Sequence, residues 1–226
     1  MKTKLKYLPF VLYLSIIFLF SYCNSSVDPI YQSGSSEVKS SELTAGDLVT
    51  SVNKIGTGSI SQLEKDGLIW MREEEKLARD VYITLNTQYN SRVFTNISLS
   101  EQKHMNALKN LLDKYRIADP VENDAVGYYT NEYFKTLYNE LIESGNLSLV
   151  QAFLVGAEIE EIDILDLKKQ ISLVDDNQDI ITVYNNLLLG SYNHLNAFVA
   201  NLKAQGLTYT PKYLDESTYN SIINIF

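Results

Sequence analysis

From about residue 62 to residue 205, apolar positions recur in alternating steps of three and four, the spacing of helices that each bury one face. The first stripe is Leu68, Met71, Glu75, Ala78, Tyr82 and Leu85; the second is Ile97, Glu101, His104, Leu108, Leu111 and Tyr115. A third helix is predicted from about Ser148 to Val174, opened by a Ser148/Gln151 capping box and carrying Leu154, Glu158, Glu161 and Leu165. A fourth, from about Asp176 to Gln205, carries Ile180, Tyr184, Leu187, Ser191, His194 and Phe198. Residues 117–147 hold a short helix from Asn131 to Ser144 and are long enough to cross the molecule. The expected fold is all-α: a four-helix bundle with a long crossover carrying an extra short helix between helices two and three. The pattern assigns residues 61–208 to this domain and 209–226 to a C-terminal tail.

Each stripe is apolar except near its centre, which carries Glu75, then Glu101 and His104, then Glu158 and Glu161, then Ser191 and His194. Buried carboxylates cost several kcal/mol each unless something compensates them. Two divalent cations would balance four glutamates, and carboxylate with imidazole suits iron or manganese, with zinc an alternative. The candidate metal ligands are therefore Glu75, Glu101, His104, Glu158, Glu161 and His194. Helix rise brings them together: from Glu158 to the end of helix three is about 24 Å, and helix four returns about 27 Å to His194. The first pair needs residues 89–97, read as an extended connection, to supply part of the descent.

Each residue has a structural alternative. Glu101 with Ser98 forms a second capping box. Glu75 belongs to the acidic run Glu73-Glu74-Glu75, whose first two members read as surface residues. Glu158 and Glu161 neighbour Glu160 and Asp163, so a helical phase shifted by one residue changes the choice. His104 and His194 alternatively bond the glutamates without metal. Tyr82 and Tyr184 are packing residues, or supports for a ligating carboxylate through their hydroxyls.

Composition changes the picture at the N-terminus. Lys2, Lys4 and Lys6 precede a 16-residue apolar run, Tyr7 to Tyr22, that ends at the only cysteine, Cys23. The run is short of the roughly 20 residues a membrane span needs and reads as a signal peptide over 1–22. Cys23 sits where a bacterial lipoprotein signal places the lipidated residue, although Tyr22 is bulky for that box. Residues 23–60, with nine serines after Cys23, read as a flexible tether. The expected location is the cell envelope, membrane-anchored only through lipid, with secretion as the alternative. The net charge of -9, which becomes -12 without residues 1–22, argues against nucleic-acid binding.

Glu101-Gln102-Lys103-His104 resembles the Glu-x-x-His motif of the ferritin-like superfamily. Glu75 through Tyr82 is similar to the first helix of rubrerythrin-type proteins, and Gly156 through Glu161 to their third. The runs Met71-Arg72-Glu73-Glu74-Glu75-Lys76-Leu77-Ala78-Arg79-Asp80-Val81-Tyr82 and Gly190-Ser191-Tyr192-Asn193-His194-Leu195 resemble a prokaryotic ferritin-like family known as domain of unknown function 2202. The resemblance implies a di-iron carboxylate centre. Ser191 departs from it, standing where a ligating Glu is expected, with Glu161 the nearest replacement. One cysteine cannot build the iron-sulfur module of some rubrerythrins, so an electron donor would be a separate protein.

The leading expectation is an iron oxidase or peroxide reductase using oxygen or peroxide, in a chain that forms a homodimer. The rival is a non-enzymatic tethered binding module with a metal-free Glu/His network. Metal sensing or storage without turnover stands between them, although a lipid on every subunit would obstruct a storage shell.

Overall fold

A computed structural model describes residues 59–223; the signal peptide, Cys23 and nearly all of the tether lie outside them. The described residues form six helices and no strand: α1 (Gln62–Tyr89), α2 (Arg92–Tyr115), α3 (Glu132–Gly145), α4 (Leu149–Leu173), α5 (Gln178–Ala204) and α6 (Glu216–Ile223). None is long and apolar enough to cross a membrane.

Local chemistry sets the ends. Ser61 caps α1 in a reciprocal box, its Oγ accepting from the Glu64 N–H at 3.2 Å while Glu64 Oε2 accepts from the Ser61 N–H at 2.8 Å. Asn90 ends α1 in the left-handed region, φ 48°, which Asn tolerates better than most residues. Only Asn90 and Ser91 then separate α1 from α2, so two helices in contact along their lengths must run antiparallel. The predicted extended connection at 89–97 is therefore mostly helix: α2 begins at Arg92. Ser98 lies inside α2, its Oγ donating to Thr95 O at 3.0 Å, so it does not cap a helix through Glu101. Ser148 does cap α4, accepting from Gln151 N, but the Gln151 side chain bonds Ser144 instead of closing a box.

Among the long helices, α1 touches α2 and α4, and α5 touches α2 and α4, so each has two long neighbours. Their apolar side chains form two clusters. One contains Tyr82, Phe94, Phe153, Leu195 and Phe198. The other contains Leu68, Met71, Leu108, Leu167 and Tyr184. On α1, α2 and α5 the polar residues of the centre fall between the parts that feed these two clusters.

α1 is wrapped on more than its inner face, because α3 also packs on it and the crossover is clamped to its outer side. Arg72 holds Asp119 with two bonds of 3.1 and 3.0 Å. Lys76 pairs with Asp80 at 2.5 Å and donates to Ala125 O, while Asp80 also accepts from Gly127 N and Tyr129. This wrapping helps bury Glu73, while Glu74 turns toward Asp163 and Asp166 of α4; both are 7% exposed, where the acidic run suggested a solvated surface. Glu73 accepts from Asn131 at 3.2 Å.

Residues 209–223 are packed as part of the domain. Tyr209, Leu214, Tyr219 and Ile222 are buried in the same cluster as Tyr82 and Phe198.

Candidate metal centre

Glu75 from α1, Glu101 and His104 from α2, and His194 from α5 meet between the two apolar clusters. His104 Nδ1 lies 2.7 Å from Glu101 Oε2 and 3.1 Å from Glu75 Oε2. His194 Nδ1 lies 2.8 Å from Glu101 Oε1 and 3.4 Å from Glu160 Oε2. The two imidazoles stack, with ring centroids 5.5 Å apart. Glu101 thus serves both histidines, one with each oxygen. Gly190 makes room for this on α5: a Cβ there would stand 2.6 Å from His104 Nε2.

α4 contributes Glu160 and Asp163, not Glu158 and Glu161. Glu160 Oε1 accepts from the Tyr82 hydroxyl at 2.6 Å, so Tyr82 supports a carboxylate of the centre. The Ser191 hydroxyl shares its one proton between Asp163 Oδ2 and Leu187 O, the latter at 3.0 Å. Ser191 therefore orients a carboxylate from the facing helix at the position where it lacks one itself. Glu161 faces the C-terminal segment, accepting from Tyr209 Oη at 2.5 Å and from the backbone N–H groups of Lys212, Tyr213 and Leu214. Glu158 is at the surface, 2.8 Å from Lys212 Nζ. Tyr184 is packed in the Leu68 cluster with its hydroxyl unpartnered, so it supports no carboxylate of the centre.

Periodicity alone does not set the phase of α4, because apolar side chains cover most of its circumference: Phe153, Val155, Ala157, Ile159 and Ile164 are all buried. One sequence signal does fix it. Gly156 stands where a Cβ would be 2.4 Å from Phe198, so its side of α4 faces α5. Steps of four and three from Gly156 give Glu160, Asp163 and Leu167.

Electrostatics follow from this crowding. Burial pushes the Glu75 carboxyl up to about 8, with the His104 charge pulling against it. Burial raises Glu101 too, but the charges of His194 and His104 outweigh it and hold Glu101 well below the usual carboxylate range. Burial disfavours the His104 cation, yet Glu75 and Glu101 carry it up to about 12. Burial, with the nearby Glu75 and Glu160 charges, lifts Asp163 well above its ordinary value.

These shifts give a stability prediction for the metal-free protein. Raised Glu75 and His104 bind protons more tightly folded than unfolded, so their contributions are full below about 4.5 and 6.5 and are lost as pH rises toward about 8 and 12. Glu101 opposes this only in acid, where its contribution disappears as pH falls. Thermal melts should show the metal-free protein losing stability between pH 5 and pH 8. Because a bound cation replaces those protons, added divalent metal should raise the melting temperature more at pH 8 than at pH 5.

The residues fit a metal. Glu75 Oε1 and Asp163 Oδ1 are buried without a hydrogen-bond partner, and His194 Nδ1, although close to Glu101, is out of line for a hydrogen bond. Two triads, Glu75/Glu101/His104 and Glu101/Glu160/His194, each offer three ligand atoms within 4.8 Å of one another. Oxygen and imidazole nitrogen in this proportion suit iron, manganese or zinc.

The described residues form an all-helical domain in which α1, α2, α4 and α5 enclose a buried layer of carboxylates and imidazoles, a candidate metal centre. The chain belongs to the family described as uncharacterized protein domain (DUF2202), whose model matches residues 64–225 and so takes in the packed C-terminal helix. It is 53% identical over 165 residues to uncharacterized protein MJ0754 of Methanocaldococcus jannaschii, covering 73% of this chain and 89% of the relative. It is also similar to the crystal structure of hypothetical protein MJ0754 from Methanococcus jannaschii DSM 2661. That match has a TM-score of 0.73 and 51% identity, and covers 75% of this chain and 97% of the other.

Proposed function

We propose that this chain is a ferritin-like metalloprotein, with α1, α2, α4 and α5 as a four-helix bundle and the crossover with α3 between its halves. In this reading Glu75, Glu101, His104, Glu160 and His194 hold two divalent cations, iron foremost, with Glu101 shared. The observation that carries it is the pair of triads joined through Glu101 and enclosed by apolar side chains. Iron would supply ferrous/ferric chemistry toward oxygen or peroxide. The chain's own part is to exclude bulk water, hold the imidazoles with carboxylates, and orient Glu160 through Tyr82. An electron donor would come from outside the chain, and the proposed location is the cell envelope.

The competing metal-free network draws on the His104 contacts with Glu75 and Glu101, which already pair that imidazole. Anaerobic purification with elemental analysis, followed by peroxide titration of the reduced protein, separates the readings. The metalloprotein predicts about two equivalents of metal and consumption of peroxide. Less than about 0.2 equivalents of iron, manganese and zinc, with or without air, supports the metal-free network. Metal without peroxide or oxygen consumption leaves a sensor.

A further inference from the structure

Other buried carboxylates lie along the seam between α1 and α4, and they differ from the rest in one respect. Where this protein buries a carboxylate for structure, it saturates it. Asp80 accepts from Lys76, Arg79, Gly127 N and Tyr129, and Glu161 from Tyr209 and three backbone N–H groups. Glu74 and Asp163, 7% and 6% exposed, each keep one buried oxygen with no partner. An unpaired buried carboxylate oxygen is costly, and a cation or a proton is what relieves it.

The placement is continuous. Glu160, Asp163 and Asp166 succeed one another at three-residue steps on α4, so each lies about 5–6 Å from the next at Cβ. Across the seam, Trp70 and Glu74 are one turn apart on α1, and Trp70 Nε1 donates to Asp166 Oδ2 at 3.3 Å. The charges of Asp166 and Asp163 both act on Glu74, and that of Glu75 acts on Asp163. Asp166 is less buried than Glu74 or Asp163, and exposed Lys169, three residues further on, is a basic side chain whose charge reaches both Asp166 and Glu74.

We propose that Asp166, Glu74 and Asp163 form a carboxylate relay that passes a divalent cation from the surface between α1 and α4 to the centre. Asp166 takes the cation at the outer end, the free oxygen of Glu74 receives it, and the free oxygen of Asp163, steadied by Ser191, hands it to Glu75 and Glu160. Lys169 repels cations at the entrance and slows entry. The proposal rests on the metal-binding reading above, and its test must separate the two.

The test is anaerobic uptake of ferrous ion by the metal-free full chain at low ionic strength, with free ion trapped by a chromogenic chelator at timed intervals. Glu74→Gln and Asp166→Asn should each slow uptake about tenfold or more while the final stoichiometry stays that of wild type. Lys169→Gln should speed uptake by about twofold, a change that damage to the fold would not produce. Uptake by both carboxylate variants within about twofold of wild type, at unchanged stoichiometry, overturns the relay and leaves the centre standing. A reduced endpoint in Glu74→Gln makes Glu74 a ligand and also overturns the relay. No uptake by wild type overturns relay and centre together.

Discussion

Glu101→Gln is expected to abolish metal uptake at both halves of the centre, taking about two equivalents to below about 0.2. Glu101 is the one carboxylate common to the two triads, with Oε2 2.7 Å from His104 and Oε1 2.8 Å from His194. Glutamine keeps the shape but replaces one oxygen by an N–H₂ donor, which points hydrogens at an imidazole or a cation. The variant also removes the negative charge that favours protonated His104 and His194. By contrast, Glu75→Gln and Glu160→Gln each touch one triad and should leave about one equivalent. Elemental analysis beside a far-ultraviolet circular dichroism spectrum reads both outcomes. A folded Glu101→Gln protein that retains more than about one equivalent contradicts the shared role.

The second large effect is on stability and falls on a residue that sequence spacing nominated as a ligand. Glu161→Ala should destabilise the protein by about 3–5 kcal/mol, because it leaves the buried Tyr209 hydroxyl and the backbone N–H groups of Lys212, Tyr213 and Leu214 without their acceptor. The segment that docks α6 against α5 would loosen with it, and its buried Tyr209, Leu214 and Ile222 would be the first side chains exposed. Metal capacity at a temperature where the variant is folded should match wild type. Glu158→Ala should cost under about 1 kcal/mol, since its bond to Lys212 is partly solvated. Urea unfolding of both variants checks the contrast. Loss of metal from folded Glu161→Ala would return that residue to the ligand set.

Spacing places Glu161 on the inward stripe of α4, whereas the structure turns its carboxylate to the C-terminal segment. Helices α1, α2 and α5 showed their inward faces through plain alternation of apolar residues in threes and fours, so Glu75, Glu101, His104 and His194 could be placed on them. α4 could not be phased that way. It packs against α1, α3 and α5, and its Glu161 accepts from the C-terminal segment, so apolar residues appear on most sides and the amphipathic pattern is washed out. The burial of Glu73 and Glu74 is likewise tertiary: Glu74 faces Asp163 and Asp166 of α4, and Glu73 accepts from Asn131 of the crossover. The partners that cover α1 come from a crossover about 50 residues away, through Arg72–Asp119 and Lys76–Asp80–Tyr129 contacts that no local periodicity encodes. Residues 209–223 likewise depend on a tertiary acceptor, Glu161, to be held in place. The glycines carry a signal of their own. Gly156 and Gly190 both mark surfaces where a second helix approaches too closely for a Cβ, and each points to the layer that carries the centre.

The Ser191 departure also takes a different meaning with Asp163 in view. Position 191 supplies no carboxylate of its own, but its hydroxyl orients one from α4, Asp163, beside the three carboxylates Glu75, Glu101 and Glu160 that the two triads supply. A serine in this role keeps Asp163 Oδ2 engaged while Oδ1 stays free.

The central claim, two cations sharing Glu101, is tested most directly by anomalous scattering from crystals loaded with ferrous ion under anaerobic conditions, with data collected on both sides of the iron edge. The account predicts two iron peaks, one bounded by Glu75, Glu101 and His104 and the other by Glu101, Glu160 and His194. Crystals that show no iron peak between the two histidines, or that place the metal at Glu158 and Glu161, would contradict it.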